Sequence, residues 1–299
     1  MAFLIQPVLQ AIEKSSHTWL LSQPIEPIAQ WRSRDHGATI LHQFARHGSP
    51  DPRVLDWLLQ GGMDINAQDA RGNTPLHCVF ERPENSSLTW MRLLVDRGAD
   101  LKAHNHDYAT ALKEAAAQRK WACVEYALSQ GAPRWIKNTP WESSLEGRIA
   151  AFMPEKMGVN AIDPLSKINQ RFPASVADNT RGLFMSLQHG SWSLAKFYLQ
   201  QGADALTTTP SGSTALHMVA LGCTIGRAKQ KDDNKMVETI ASLGVDPVAL
   251  NEMGVDCYAY IQDFPQIMRH FKAAISMGVA KHLENQSLKP THKSPSRRM

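Results

Sequence analysis

The chain has 299 residues, 43% hydrophobic and 20% charged, enough apolar surface to bury an ordered core. Its formal charge of +4 sits at the end: Lys281 to Met299 holds five basic residues and one acidic, so residues 1–280 are formally neutral and the basic total says little about a nucleic-acid surface on the body. Four cysteines stand singly without a CxxC pair, and no apolar run approaches 18 residues, which excludes zinc-ribbon spacing and predicts a reduced, intracellular protein with no membrane span.

At the start, "MAFLIQPVLQAIEK" lacks a basic region and a cleavage site, so no secretory signal is expected. Two short apolar helical patterns, Phe3–Ile12 and His17–Trp31, predict an N-terminal helical cap over residues 1–32. Three similar segments follow: "GATILHQFA" from Gly37, "GNTPLHCVF" from Gly72 and "YATALKEAA" from Tyr108. A fourth, "GSTALHMVA", starts at Gly212. Thr39, Thr74 and Thr110 are spaced by 35 and 36 residues, and Thr214 lies close to three periods further on. Each copy leads to a second apolar run ending in glycine, such as "WMRLLVDRGADLK". A further run, "LAKFYLQQGADAL", has that ending without a clean start.

The physics of one unit is that of two antiparallel helices. Thr74 can cap free backbone N–H groups and Pro75 suits the first helical position. Leu76, Val79 and Phe80 fall at i, i+3 and i+4, as do Trp90, Leu93 and Leu94 on the second helix. Gly98 stops that helix where positive φ is wanted. Trp57 and Trp90 sit at core spacing, while Trp192 at a helix start is open to partial exposure. No single unit can bury its own apolar face, so the units must stack.

At Thr74-Pro75-Leu76-His77 and Arg97-Gly98-Ala99-Asp100 the sequence resembles the ankyrin repeat. The resemblance implies an all-α solenoid of about five or six ankyrin repeats with N- and C-terminal caps. Repeats are placed at 33–133 and 178–250, with a degenerate repeat or inserted helices at 134–177. A terminal repeat and C-cap follow at 251–284, and a disordered basic tail at 285–299. In the middle segment Thr139-Pro140 is read as a helix cap, and "DPLSKINQRFPAS" from Asp163 as an added helix or loop. The insert "GCTIGRAKQKDDNK", Gly222 to Lys235, is read as a solvent-exposed hairpin extension.

His77 beside Cys78 raises the question of catalysis or metal binding. His42, His77 and His217 occupy one slot in three copies, filled elsewhere by Lys113 and Phe184, so a shared ligand set is not expected. By resemblance, the histidine bridges neighbouring repeats. No GxSxG, HExxH, GxxxxGK[ST] or GxGxxG element is present. No catalytic residue, metal or cofactor is therefore expected. The resemblance implies a protein-recognition scaffold that binds a folded partner through its concave face and finger tips. Carried over by position, the contact row is Asp35, His36, Arg46, His47, Arg71, Asn73, Glu81, Arg82, His106, Asp107, Gln118 and His189. Over the first three units it is mainly basic or imidazole, which suits an acidic partner surface. A cytoplasmic setting follows, with no membrane contact and no nucleic acid expected. Two other classes fit the same sequence: a bacterial effector or toxin-immunity protein, and an enzyme with its site in 133–180.

Overall fold

The computed structural model describes residues 2–152, 155–225 and 230–287. It is all-helical: among the described residues the only β pairing is two isolated bridges, Arg32 with Thr39 and His104 with Thr110. The chain divides into two compact units, Met1–Ile149 with Ser166–Pro173, and Ala150–Leu165 with Ala174–Met299.

The first unit begins with α1 (Ala2–Glu13), α2 (His17–Leu21) and α3 (Glu26–Ala29), followed by helix pairs. These are α4 (Ile40–His47) with α5 (Pro52–Gln60), α6 (Pro75–Cys78) with α7 (Glu84–Val95), and α8 (Ala111–Ala117) with α9 (Trp121–Ser129). A 3-10 turn, Val79–Glu81, continues α6. Thr39, Thr74 and Thr110 each sit in extended backbone immediately before a first helix. The hydroxyls of Thr39 and Thr110 accept the amides of His42 and Lys113. Leu41, Leu76 and Leu112, two positions on, are fully buried. Trp90 is buried edge-on against Phe44 at 4.8 Å, and its indole N–H donates to the Gly48 carbonyl at 3.3 Å. Trp57, by contrast, is only half-buried.

Two sets of glycines close each hairpin. Gly62, Gly98 and Gly131 end the second helices with φ of 85, 91 and 77°. Gly37 and Gly72 turn the fingers with φ of 63 and 76°. Both places demand the left-handed region, where a side chain costs free energy.

The middle segment departs from the expected cap. Pro140 is extended and Trp141–Ser143 form a 3-10 turn, so no helix begins at Thr139. Instead α10 (Leu145–Phe152) starts after Ser144, whose hydroxyl accepts the Gly147 amide at 3.0 Å. The stretch from Asp163 belongs to a helix, α11 (Glu155–Arg171), that continues through Pro164.

The second unit contains α12 (Val176–Gln188), α13 (Trp192–Gln200), α14 (Ala215–Ile225), α15 (Gln230–Ser242) and α16 (Pro265–Ser287), with a 3-10 turn at Cys257–Ile261. The unit that lacked a clean start in the sequence opens on Ser175, whose hydroxyl accepts the Asp178 amide while Asp178 accepts the Ser175 amide. In the insert Gly222–Ile225 prolongs α14 and Gln230–Lys235 opens α15, while residues 226–229 between them lie outside the described residues. Gly222 is buried there, with no room for a Cβ against the Leu187 carbonyl. Trp192 is buried too, its N–H donating to Asp233 at 2.7 Å. Residues 285–287 of the expected tail are helical, and the rest, 288–299, lies outside the described residues.

Candidate functional site

The histidine slot is architectural. In His42 and His77, Nδ1 accepts the backbone N–H of Thr39 and Thr74, both at 3.1 Å. That leaves the proton on Nε2, which donates to Asn73 O and Ala109 O, both at 2.9 Å, in the following unit. His217 repeats the arrangement with Thr214 and Val255 O at 3.0 Å. Burial holds the His42 imidazole below its usual pKa and pushes His77 down to about 4. Cys78 is buried and its thiol is pushed up to about 12 by desolvation, so it offers no thiolate nucleophile. Among the described residues, no cluster of three or more His, Cys, Asp or Glu could hold a metal ion, and no helix is long and apolar enough to cross a membrane.

In the third copy, Lys113 takes the histidine's place. Its side chain is fully buried, and Nζ donates to the Tyr108 carbonyl at 2.9 Å. Burial, and secondarily Arg148, bring its pKa down to about 8, against the opposing pull of Glu146. Neither this lysine nor the buried pair Arg134–Glu146, at 2.5 Å, was singled out from sequence. A cation in a histidine slot and a carboxylate in a leucine slot are the signals that could have found them.

The finger tips of the first unit are tied edge to edge by main-chain bonds. Ala70 N donates to His36 O at 2.7 Å and His106 N to Arg71 O at 3.0 Å. The turns are braced from inside: Asp69 accepts the amides of Arg71 and Asn73, and Asn105 those of Asp107 and Ala109. These bonds leave Asp35, His36, Arg71, His106 and Asp107 exposed in successive fingers. His47, Glu81 and Gln118 are exposed at or just beyond the ends of the first helices. His189, half-buried, belongs to the second unit.

Three residues of the row also hold the fold. Asn73 lends its carbonyl to His42 and its side-chain oxygen to Asn105 at 2.9 Å. Arg46 is half-buried, pairs with Glu81 at 3.2 Å and donates to Cys78 Sγ. Arg82 donates through Nε to Ala45 O at 2.8 Å, and its guanidinium lies 5.5 Å from the Trp90 ring centre. Desolvation lowers its pKa against the opposing charge of Glu81. Arg82 is therefore a clasp between two units as well as a surface cation.

Exposed groups outside the row include Tyr108 in the third finger and, in the second unit, Leu206, Val248, Leu250 and Met253. The apolar set lies in finger segments whose first-unit counterparts include Asn66, Gln68, Lys102 and His104.

Helical hairpins stacked through capped first helices, with tied finger turns between them, define a helical-repeat recognition fold. Residues 41–138 match the family model for ankyrin repeats, in three copies. A putative ankyrin repeat protein of Rickettsia felis is 36% identical over 81 residues, covering 25% of this chain and 34% of that protein. A protein named ADP-ribosylation factor GTPase-activating protein AGD2, from Arabidopsis thaliana, is 35% identical over 86 residues, covering 29% of this chain and 10% of its own length. The matches reach 10–34% of the length of these curated relatives. The crystal structure of the Bcl-3 ankyrin repeat domain superposes with a TM-score of 0.52 at 20% identity, over 79% of this chain and 99% of that one. Residues 41–138 are thus ankyrin repeats, and the described chain has the all-helical fold of ankyrin-repeat solenoids.

Proposed function

We propose that the chain is a non-enzymatic recognition scaffold whose first unit binds a folded partner protein with an acidic surface. One observation carries the reading: the cross-finger bonds between Ala70 and His36 and between His106 and Arg71 fix exposed cationic and imidazole side chains in register. A surface that is already ordered loses little conformational freedom on binding. Arg71 and the imidazoles of His36 and His106 are the groups that would meet an acidic partner, and contacts of that kind are sensitive to salt.

The test uses the full chain. Proteins captured on it are identified and purified, and binding is measured directly for His36→Ala, Arg71→Glu and, as a control on an exposed second-helix position, Gln60→Ala. The first two variants should weaken binding about ten-fold or more, and more steeply at low salt, with the thermal midpoint unmoved. Unchanged affinity in Arg71→Glu would remove the surface assignment.

A further inference from the structure

Four finger turns place glycine in the left-handed region: Gly37, Gly72, Gly212 and Gly254, with φ of 63, 76, 72 and 73°. The third finger has Tyr108 in that slot, at φ 55°. A bulky residue there is strained, where glycine would not be. Its main chain is held by a bond from its own amide to Asn105 O at 2.9 Å and by the Lys113 ammonium on its carbonyl. Neither bond involves the ring. Tyr108 is 41% exposed and its ring stacks on His104, with centres 5.8 Å apart and planes 14° from parallel.

This pair walls an open depression of about 570 Å³, lined also by Gln68, Asp100, Lys102 and His106. Among the described residues, Lys102 Nζ, the His106 ring and the Tyr108 hydroxyl make no hydrogen bond within the chain. The single carboxylate of the lining, Asp100, already takes the Lys102 amide through Oδ1 at 2.8 Å. Lys102 and His106, both exposed, line the depression beside this aromatic plane.

We infer that this depression is the anchor point of the recognition surface and takes a carboxylate side chain from a loop of the partner. The carboxylate meets Lys102 and His106, and the stem of the acidic residue lies on the Tyr108–His104 stack. Backbone strain is retained at Tyr108 because the ring belongs to binding rather than to folding. This rests on the scaffold reading above and deepens it.

The probe is the blocked peptide acetyl-Gly-Ala-Glu-Ala-Gly-amide, titrated into the isotopically labelled full chain and followed by NMR. The glutamine peptide and a single-stranded RNA trimer run beside it. The glutamate peptide should give saturable shifts centred on Lys102, His104, His106 and Tyr108. Affinity should drop about ten-fold with glutamine, as expected for loss of a charge-assisted bond. In Tyr108→Gly the response should vanish while the thermal midpoint stays level or rises. Absent saturation, equal response to glutamine, preference for the RNA, or a fall in the Tyr108→Gly midpoint would each overturn the assignment. The captured partner separates the two readings. If Arg71→Glu abolishes its binding and Tyr108→Gly does not, the anchor falls and the scaffold stands; if both bind as wild type, both fall.

Discussion

The His77 imidazole donates to the Ala109 carbonyl at 2.9 Å, 32 residues along the chain and in the next unit. The bond requires a neutral ring with its proton on Nε2, because Nδ1 already accepts the Thr74 amide. Protonating His77 would place a second proton against that amide.

Stability should therefore depend on pH in a stated direction. The folded pKa of His77, about 4, lies below the unfolded value near 6.5. Between these limits the unfolded chain binds more protons, so stability rises with pH across the window and falls as pH drops from about 6.5 toward 4. The swing from this residue alone is about 3 kcal/mol, and His42, lowered in the same direction, adds to it. Lys113 produces a second rise, from its folded value of about 8 to the unfolded value near 10.4, because its neutral form is the one the buried site favours. Urea midpoints against pH measure both; His77→Gln should flatten the acid limb and leave the alkaline one.

Arg82 and Arg71 should behave differently when truncated. Arg82→Ala loses a charged donor to Ala45 O and a contact with Trp90, a cost of about 2–3 kcal/mol. Arg71→Ala, fully displayed at a finger tip, should change stability by no more than about 0.5 kcal/mol. Thermal melts of the two single variants decide it, and equal losses would refute the clasp role of Arg82.

The repeats could be read in the sequence because their determinants are local. A threonine cap, a leucine two residues later and a glycine at the hairpin's end recur at fixed offsets, and each acts within one turn of its own helix. The middle segment hid its order because its determinants are not local. Ser144 caps in place of Thr139, and the carboxylate that follows is tolerated only because Arg134 reaches it from a preceding loop. Exposure was harder still. Position in the repeat marked Arg46 and Arg82 as surface residues, yet their inward partners lie more than 30 residues away. Tyr108 stands where Gly37 and Gly72 stand in the other copies, but the backbone angle and the His104 contact that give it meaning are seen only in the fold.

Two glycines should resist alanine for different reasons. At Gly98, φ is 91° and a Cβ would meet nothing within 4 Å, so Gly98→Ala should cost about 1–2 kcal/mol of backbone strain alone. At Gly222 a Cβ would come within 2.1 Å of the Leu187 carbonyl oxygen, so Gly222→Ala must push α14 off its neighbour, at a cost of about 1–3 kcal/mol. Asparagine, which tolerates the left-handed region, should be accepted better than alanine at 98 and worse at 222. Chemical denaturation of the four variants tests that crossing.

Glu146 stands two residues after its cap, where Leu41, Leu76, Leu112 and Leu216 stand after theirs, and it is just as buried. Its partner Arg134 also donates to Asn169 Oδ1 at 3.0 Å and to Phe172 O at 2.7 Å. Restoring the repeat's leucine alone leaves a buried guanidinium without its anion, so Glu146→Leu should cost about 3–5 kcal/mol. Replacing both charges, Glu146→Leu with Arg134→Met, removes the unpaired guanidinium and leaves the Asn169 and Phe172 acceptors to be satisfied, a penalty of about 1–3 kcal/mol. The double variant should therefore be more stable than Glu146→Leu. If urea unfolding finds it less stable, Arg134 holds this segment mainly through Asn169 and Phe172, and the ion pair is secondary.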